Sequence, residues 1–139
     1  QILYNGLKSL KGLNLPLIQK NYTHSYYVFA MSLKTDVVKT QKSKIKKLLK
    51  KKRKNISIEY QNLHLLPLFQ KKIGYYKNFP WCLNKNKIDY KKGICPNAEF
   101  LNDKSFIGLN LCNYDYSKND LKYIIKCFKE IWQKEISFF

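Results

Sequence analysis

Leu121, Ile124, Ile125, Phe128, Ile131 and Trp132 recur with the three-to-four-residue period of one helical face. Ser117 stands just before them, and Asp120 follows three residues on, in the acid position of a capping box where Glu or Gln is the usual occupant. The pattern predicts a docked C-terminal helix that starts after Ser117. At the other end, Ile2, Leu3, Gly6, Leu7 and Leu10 share a face and predict a helix over 1–10, with a break at 12–16 that contains Gly12 and Pro16.

Between these helices the period changes. Residues 25–33 are rich in β-formers (Tyr26, Tyr27, Val28, Phe29) and do not alternate cleanly, which predicts a strand buried on both faces and central in its sheet. Residues 42–54 are a lysine run interrupted by Ile45, Leu48 and Leu49 at helical spacing, an amphipathic helix with a lysine face. Its apolar stripe is short and lacks an aromatic, which argues against a helix lying on a membrane. Further strands are expected at 56–60 and 106–111, and a short helix opening at Pro96. Residues 70–94, punctuated by Gly74, Pro80 and Gly93, read as a long loop, the kind that carries function or moves. The order predicts one α+β domain across 1–139, a small mostly antiparallel sheet covered by helices.

Charge sharpens the picture less than its size suggests. The chain carries 27 basic against 9 acidic residues, a net +18. Arg53 is the only arginine, and the lysines come with abundant Asn, Ile and Tyr, as codon supply in an AT-rich genome would produce. Lysine is a flexible point charge without the bidentate fork that reads guanine or phosphate. Most of the charge is therefore read as solvated surface, and nucleic acid is not expected as a partner. The four cysteines form no CxxC pair, so free thiols in a reducing cytosol are expected rather than zinc or disulfides. No apolar run reaches the ~18 residues of a membrane span and no signal peptide opens the chain, so the expected location is cytoplasmic. The first residue is Gln rather than Met, and the chain is expected to belong to a longer one.

Self-contained catalysis is hard to assemble from these residues. There are two histidines, none of the nine acids makes an obvious pair with either, and no nucleophile elbow, zinc helix or phosphate loop is present. His24, next to the central strand, reads as structural. His64 lies in a Pro-bounded, aromatic-flanked segment and is the candidate site residue. Tyr75-Tyr76-Lys77 and the pair Tyr114/Tyr116 interleave aromatics with cations, raw material for RNA binding without its glycine-aromatic signature.

Several blocks, taken in order, resemble a known family. These are His24-Ser-Tyr-Tyr-Val-Phe29, then Tyr60-Gln-Asn-Leu-His64-Leu-Leu-Pro67-Leu-Phe69, Phe79-Pro-Trp81, Tyr90-Lys-Lys-Gly93-Ile-Cys95-Pro96-Asn-Ala98-Glu99, Leu109-x-Leu111 and the Ser117-capped helix. They resemble the C-terminal segment of the DegT/DnrJ/StrS sugar aminotransferases, with its Trp-x-Pro-Met-His-Leu-Gln-Pro and Cys-Pro-x-Ala-Glu blocks. Asn62 stands where the family has Pro and Leu66 where it has Gln. The resemblance implies the small domain of a fold-type I enzyme dependent on pyridoxal 5'-phosphate. It moves an amino group from glutamate or glutamine to a nucleotide-linked keto sugar, for polysaccharide biosynthesis. It further implies a homodimer, and an N-terminal domain, absent here, that carries the Schiff-base lysine. The isolated chain would then be inactive, with no catalytic, cofactor or metal residue of its own. His64 would donate a hydrogen bond to the substrate's phosphate or sugar hydroxyl, and Tyr60 would shape the wall. The alternatives are a standalone Lys-rich nucleic-acid-binding module and a structural or dimerisation fragment.

Overall fold

A computed structural model describes residues 1–52, 60–83, 88–113 and 115–139. The chain divides into two compact units, one formed by Gln1–Glu59 with Asp103–Phe139 and the other by Tyr60–Asn102.

The first unit is an α+β layer built on a three-stranded antiparallel sheet ordered β1-β2-β3. Its central strand is β2 (Val28–Leu33), flanked by β1 (Leu13–Asn14) and β3 (Phe106–Asn110). The register sets Phe29 opposite Leu109 and Met31 opposite Ile107. Side chains alternate along a strand, so these four fall on one face. That face meets Leu3 and Leu7 of α1 (Ile2–Leu7), Ile45 and Leu49 of α2 (Lys42–Lys52), and Ile124, Phe128 and Ile131 of α5 (Lys118–Lys134) in one buried cluster. Ala30, on the opposite face, is exposed, so the central strand is buried on one face rather than both. Each large side chain fully buried here contributes roughly 1.5–3 kcal/mol of transfer free energy.

Local chemistry explains the helix ends. Ser117 Oγ accepts from the Asp120 amide at 3.2 Å, and the Asp120 carboxylate accepts from the Ser117 amide at 3.1 Å, so the capping box forms with Asp in the acid position. Gly6 lets α1 approach α5, because a Cβ at that position would stand 2.3 Å from Ile125 Cδ1. The break expected at 12–16 instead contains β1, where Leu13 and Asn14 pair with Leu33 and Ser32. The open edge of the central strand, a tertiary partner, overrides the local turn signal there. The C-terminal residues close back on the same unit: the Lys39 amide donates to the Ser137 carbonyl at 3.0 Å and the Phe139 amide to the Val37 carbonyl at 3.1 Å. The strand expected at 56–60 falls almost entirely outside the described residues; Tyr60, which is described, lies in coil. No helix among the described residues is long and apolar enough to cross a membrane.

The second unit is made of short turns of helix. A 3-10 turn at Leu63–Leu65 leads into α3 (Pro67–Gln70), followed by 3-10 turns at Tyr76–Asn78 and Trp81–Leu83 and by α4 (Pro96–Phe100). Pro67 and Pro96 open the two helices, where a missing N–H costs nothing. Phe69 sits edge-on to Trp81 and tilted against Tyr90, and the Trp81 indole N–H donates to the Tyr90 hydroxyl at 3.1 Å. Gln70 Nε2 donates to the carbonyls of His64 and Tyr90, tying the two ends of this stretch together. Among the described residues, no apolar side chain of this unit is buried.

Candidate functional site

The only buried side chains described between Tyr60 and Asn102 are His64 and Glu99, at 7% and 6% exposure. Glu99 lies in the first turn of α4, where the unpaired amides of a helix start favour an anion. Its carboxylate reaches back past the helix start. The Gly93 amide donates to both oxygens, at 2.7 and 2.9 Å, and the Cys95 amide donates to Oε1 at 3.3 Å. Gly93 adopts φ +103°, a conformation a side chain would strain, and it is this turn that aims its N–H at the carboxylate.

His64 completes the arrangement, with Nε2 2.9 Å from Glu99 Oε1. Burial pushes the Glu99 carboxyl up, but the Gly93 and Cys95 amides and then His64 outweigh it, and the group sits below its ordinary value of 4.5. An ionised carboxylate can only accept, so the proton of this bond is on Nε2. The role of the other ring nitrogen follows. Nδ1 is a bare acceptor while the imidazole is neutral and becomes a donor once the ring is protonated. Against a sugar hydroxyl the neutral ring therefore accepts, whereas donation to a phosphate requires the imidazolium.

Tyr60, the other residue singled out from the sequence, is half-exposed and lies outside these hydrogen bonds. His24 is exposed at a turn rather than packed in the core. Its Nδ1 accepts from the Tyr26 amide at 2.8 Å and its ring stacks on Tyr26 at 4.3 Å, holding Tyr26 at φ +52°. The reading that no acid pairs with a histidine is corrected: Glu99 does, from 35 positions away. The available signal was an acid in the first turn of a proline-opened helix just after a glycine, which marks an anchored carboxylate and says nothing of its partner.

All four cysteines are free thiols, and among the described residues no group of three or more His, Cys, Asp or Glu side chains is arranged to hold a metal. A pyridoxal aldimine needs an amine kept neutral by burial or by neighbouring cations. None of the described lysines is buried. Lys52 is pushed up from 10.5 by its hydrogen bond to Glu130, the wrong direction for a nucleophile. The described residues of this chain do not fit that cofactor.

No protein-family model matches the chain. An uncharacterized protein of Methanocaldococcus jannaschii is 29% identical over 103 residues, which are 73% of this chain and 23% of that protein. The chain thus spans about a quarter of the relative's length.

Proposed function

We propose that the chain is the C-terminal, substrate-side portion of a pyridoxal-phosphate sugar aminotransferase, with the cofactor and its lysine held by a segment upstream of Gln1. One observation carries the reading. The His64 block and the Cys95-Pro96-Asn-Ala98-Glu99 block, which give the sequence its resemblance, meet in the buried His64–Glu99 hydrogen bond. The length of the matching archaeal protein, of which this chain covers 23%, leaves room for a larger cofactor domain. In this reading Glu99 fixes the tautomer and orientation of His64, and His64 presents Nδ1 to the substrate's sugar or phosphate. Such an enzyme works as a homodimer in the cytoplasm, where glutamate and nucleotide sugars are available.

The test uses two proteins. The 139-residue chain with added pyridoxal phosphate should show no aldimine absorption that depends on a particular lysine. The protein made from the whole reading frame should show that absorption and transfer an amino group from glutamate or glutamine to a nucleotide-linked keto sugar. There, His64→Asn should raise KM more than it lowers kcat. An aldimine band on the isolated chain, lost on changing one of its lysines, would overturn the reading, as would its absence from the whole protein.

A second reading, a Lys-rich module for nucleic acid, has one observation on its side. Lys46, Lys47, Lys50 and Lys51 lie together along one side of α2. Lysines that neutralise phosphates steepen the fall of affinity with salt by ~0.7–0.9 per contact. If this reading holds, replacing these four with Gln should flatten that slope far more than replacing four lysines of α5.

A further inference from the structure

Gln70 lies just past the sequence block that contains His64, yet its side chain closes a circuit of hydrogen bonds through that residue. It is the last residue of α3, and its backbone amide donates to the Leu66 carbonyl at 3.0 Å, which fixes the point the side chain starts from. From there Nε2 donates to the His64 carbonyl at 2.7 Å and to the Tyr90 carbonyl. A primary amide nitrogen carries two hydrogens, one for each carbonyl. Tyr90 immediately precedes a turn from Lys91 to Ile94, closed by the Ile94 amide on the Lys91 carbonyl at 3.4 Å, and this turn carries Gly93. The Gly93 amide in turn holds the Glu99 carboxylate, whose Oε1 lies 2.9 Å from His64 Nε2. The path leaves His64 by its carbonyl and returns to it by its imidazole.

The consequence is geometric. An imidazole swings about two side-chain torsions, and a bond at Nε2 aims the ring only as well as the backbone beneath it is fixed. The turn at Leu63–Leu65 is closed by bonds to the carbonyls of Asn62 and Leu63, and Gln70 takes the next carbonyl, that of His64. His64 is thus held at both ends, and the direction of Nδ1 follows from the two anchors together. Glu could not serve at position 70, because an ionised carboxylate only accepts. We infer that Gln70 is a positioning residue for His64, acting on its main chain directly and on its ring through the Tyr90–Gly93 turn that steadies Glu99. That the group so placed binds substrate rests on the aminotransferase reading; that Gln70 places His64 does not.

Gln70→Met keeps the length of the side chain and removes both donors, whereas Gln70→Lys returns donors on an ammonium of similar reach. The readout is the imidazole itself, observed by nuclear magnetic resonance in the 139-residue chain. Gln70→Met should speed exchange of the His64 Nε2 proton with water roughly two- to tenfold, the range of one lost hydrogen bond, and Gln70→Lys should return it most of the way. The Trp132 indole N–H, which donates to the Lys11 carbonyl at 3.0 Å in the first unit, should exchange alike in all three proteins. Unchanged His64 exchange in Gln70→Met would overturn the inference, and so would exchange in Gln70→Lys as fast as in Gln70→Met. If Gln70→Met frees the Trp81 indole N–H as much as the His64 ring, Gln70 holds the second unit together instead of placing His64, and the inference is equally wrong. In the protein made from the whole reading frame, Gln70→Met should raise KM for the nucleotide-linked keto sugar by a similar factor, with kcat held within about twofold. Faster His64 exchange beside an unchanged KM would uphold the positioning role and count against the aminotransferase reading of the site.

Discussion

The first unit encloses Phe29, Met31, Leu109, Phe128 and Ile131 between a sheet and three helices, whereas the described interior of the second consists of His64 and Glu99. The two interiors do different physical jobs. Hydrocarbon burial is non-directional: it supplies stability in proportion to area and tolerates repacking that conserves volume. A buried imidazole–carboxylate pair contributes less net stability, because desolvation opposes the attraction, but it fixes distances and a tautomer. Exposed apolar side chains occur in both units, Tyr75 in the second and Leu17 and Phe139 in the first. The units differ in what they enclose, hydrocarbon in one and a hydrogen-bonded polar pair in the other.

The contrast can be broken most forcefully in the first unit. Phe128→Ala empties the centre of the cluster and should cost about 3–5 kcal/mol, read as a shift of the urea midpoint followed by circular dichroism. A loss below ~1 kcal/mol would mean that this interior is not close-packed. A smaller effect sharpens the picture at the helix end. Ser117→Ala removes the cap of α5 and should cost about 1 kcal/mol, and Ser117→Thr, which keeps a hydroxyl to accept from the Asp120 amide and donate to its carboxylate, should restore most of it. No recovery with Thr would show that the cap is not what the serine contributes.

The first unit was largely legible in the sequence because its determinants are local. A cap followed by a 3.6-residue apolar period marks a docked helix, and the β-rich run at 25–33 marks a strand, which in the fold begins only at Val28. What escaped was non-local. The two-residue strand Leu13–Asn14 exists because the edge of β2 was free to pair, a fact no window of sequence contains. The candidate site was half legible. His64 stood out by its surroundings, but its partner did not, since a bond between positions 35 apart depends on how Gly93 turns. The tautomer that follows from that bond was equally out of reach.

The central claim is that the His64–Glu99 pair organises the second unit, and Glu99→Gln tests it most directly, with amide hydrogen exchange read segment by segment. A neutral amide keeps the shape and gives up the charge that the Gly93 and Cys95 amides and His64 hold. Acid should act in the same direction. The folded Glu99 carboxyl binds its proton more weakly than an unfolded one, so its stabilisation is complete above about pH 4.5 and is lost as the pH falls below that value. The account expects Glu99→Gln to abolish protection at Gly93 and Cys95 and to lower it across 60–83 at neutral pH, with the acid-dependent loss in that unit gone and the exchange of α5 unchanged. Full protection of Gly93 and Cys95 in Glu99→Gln would contradict it.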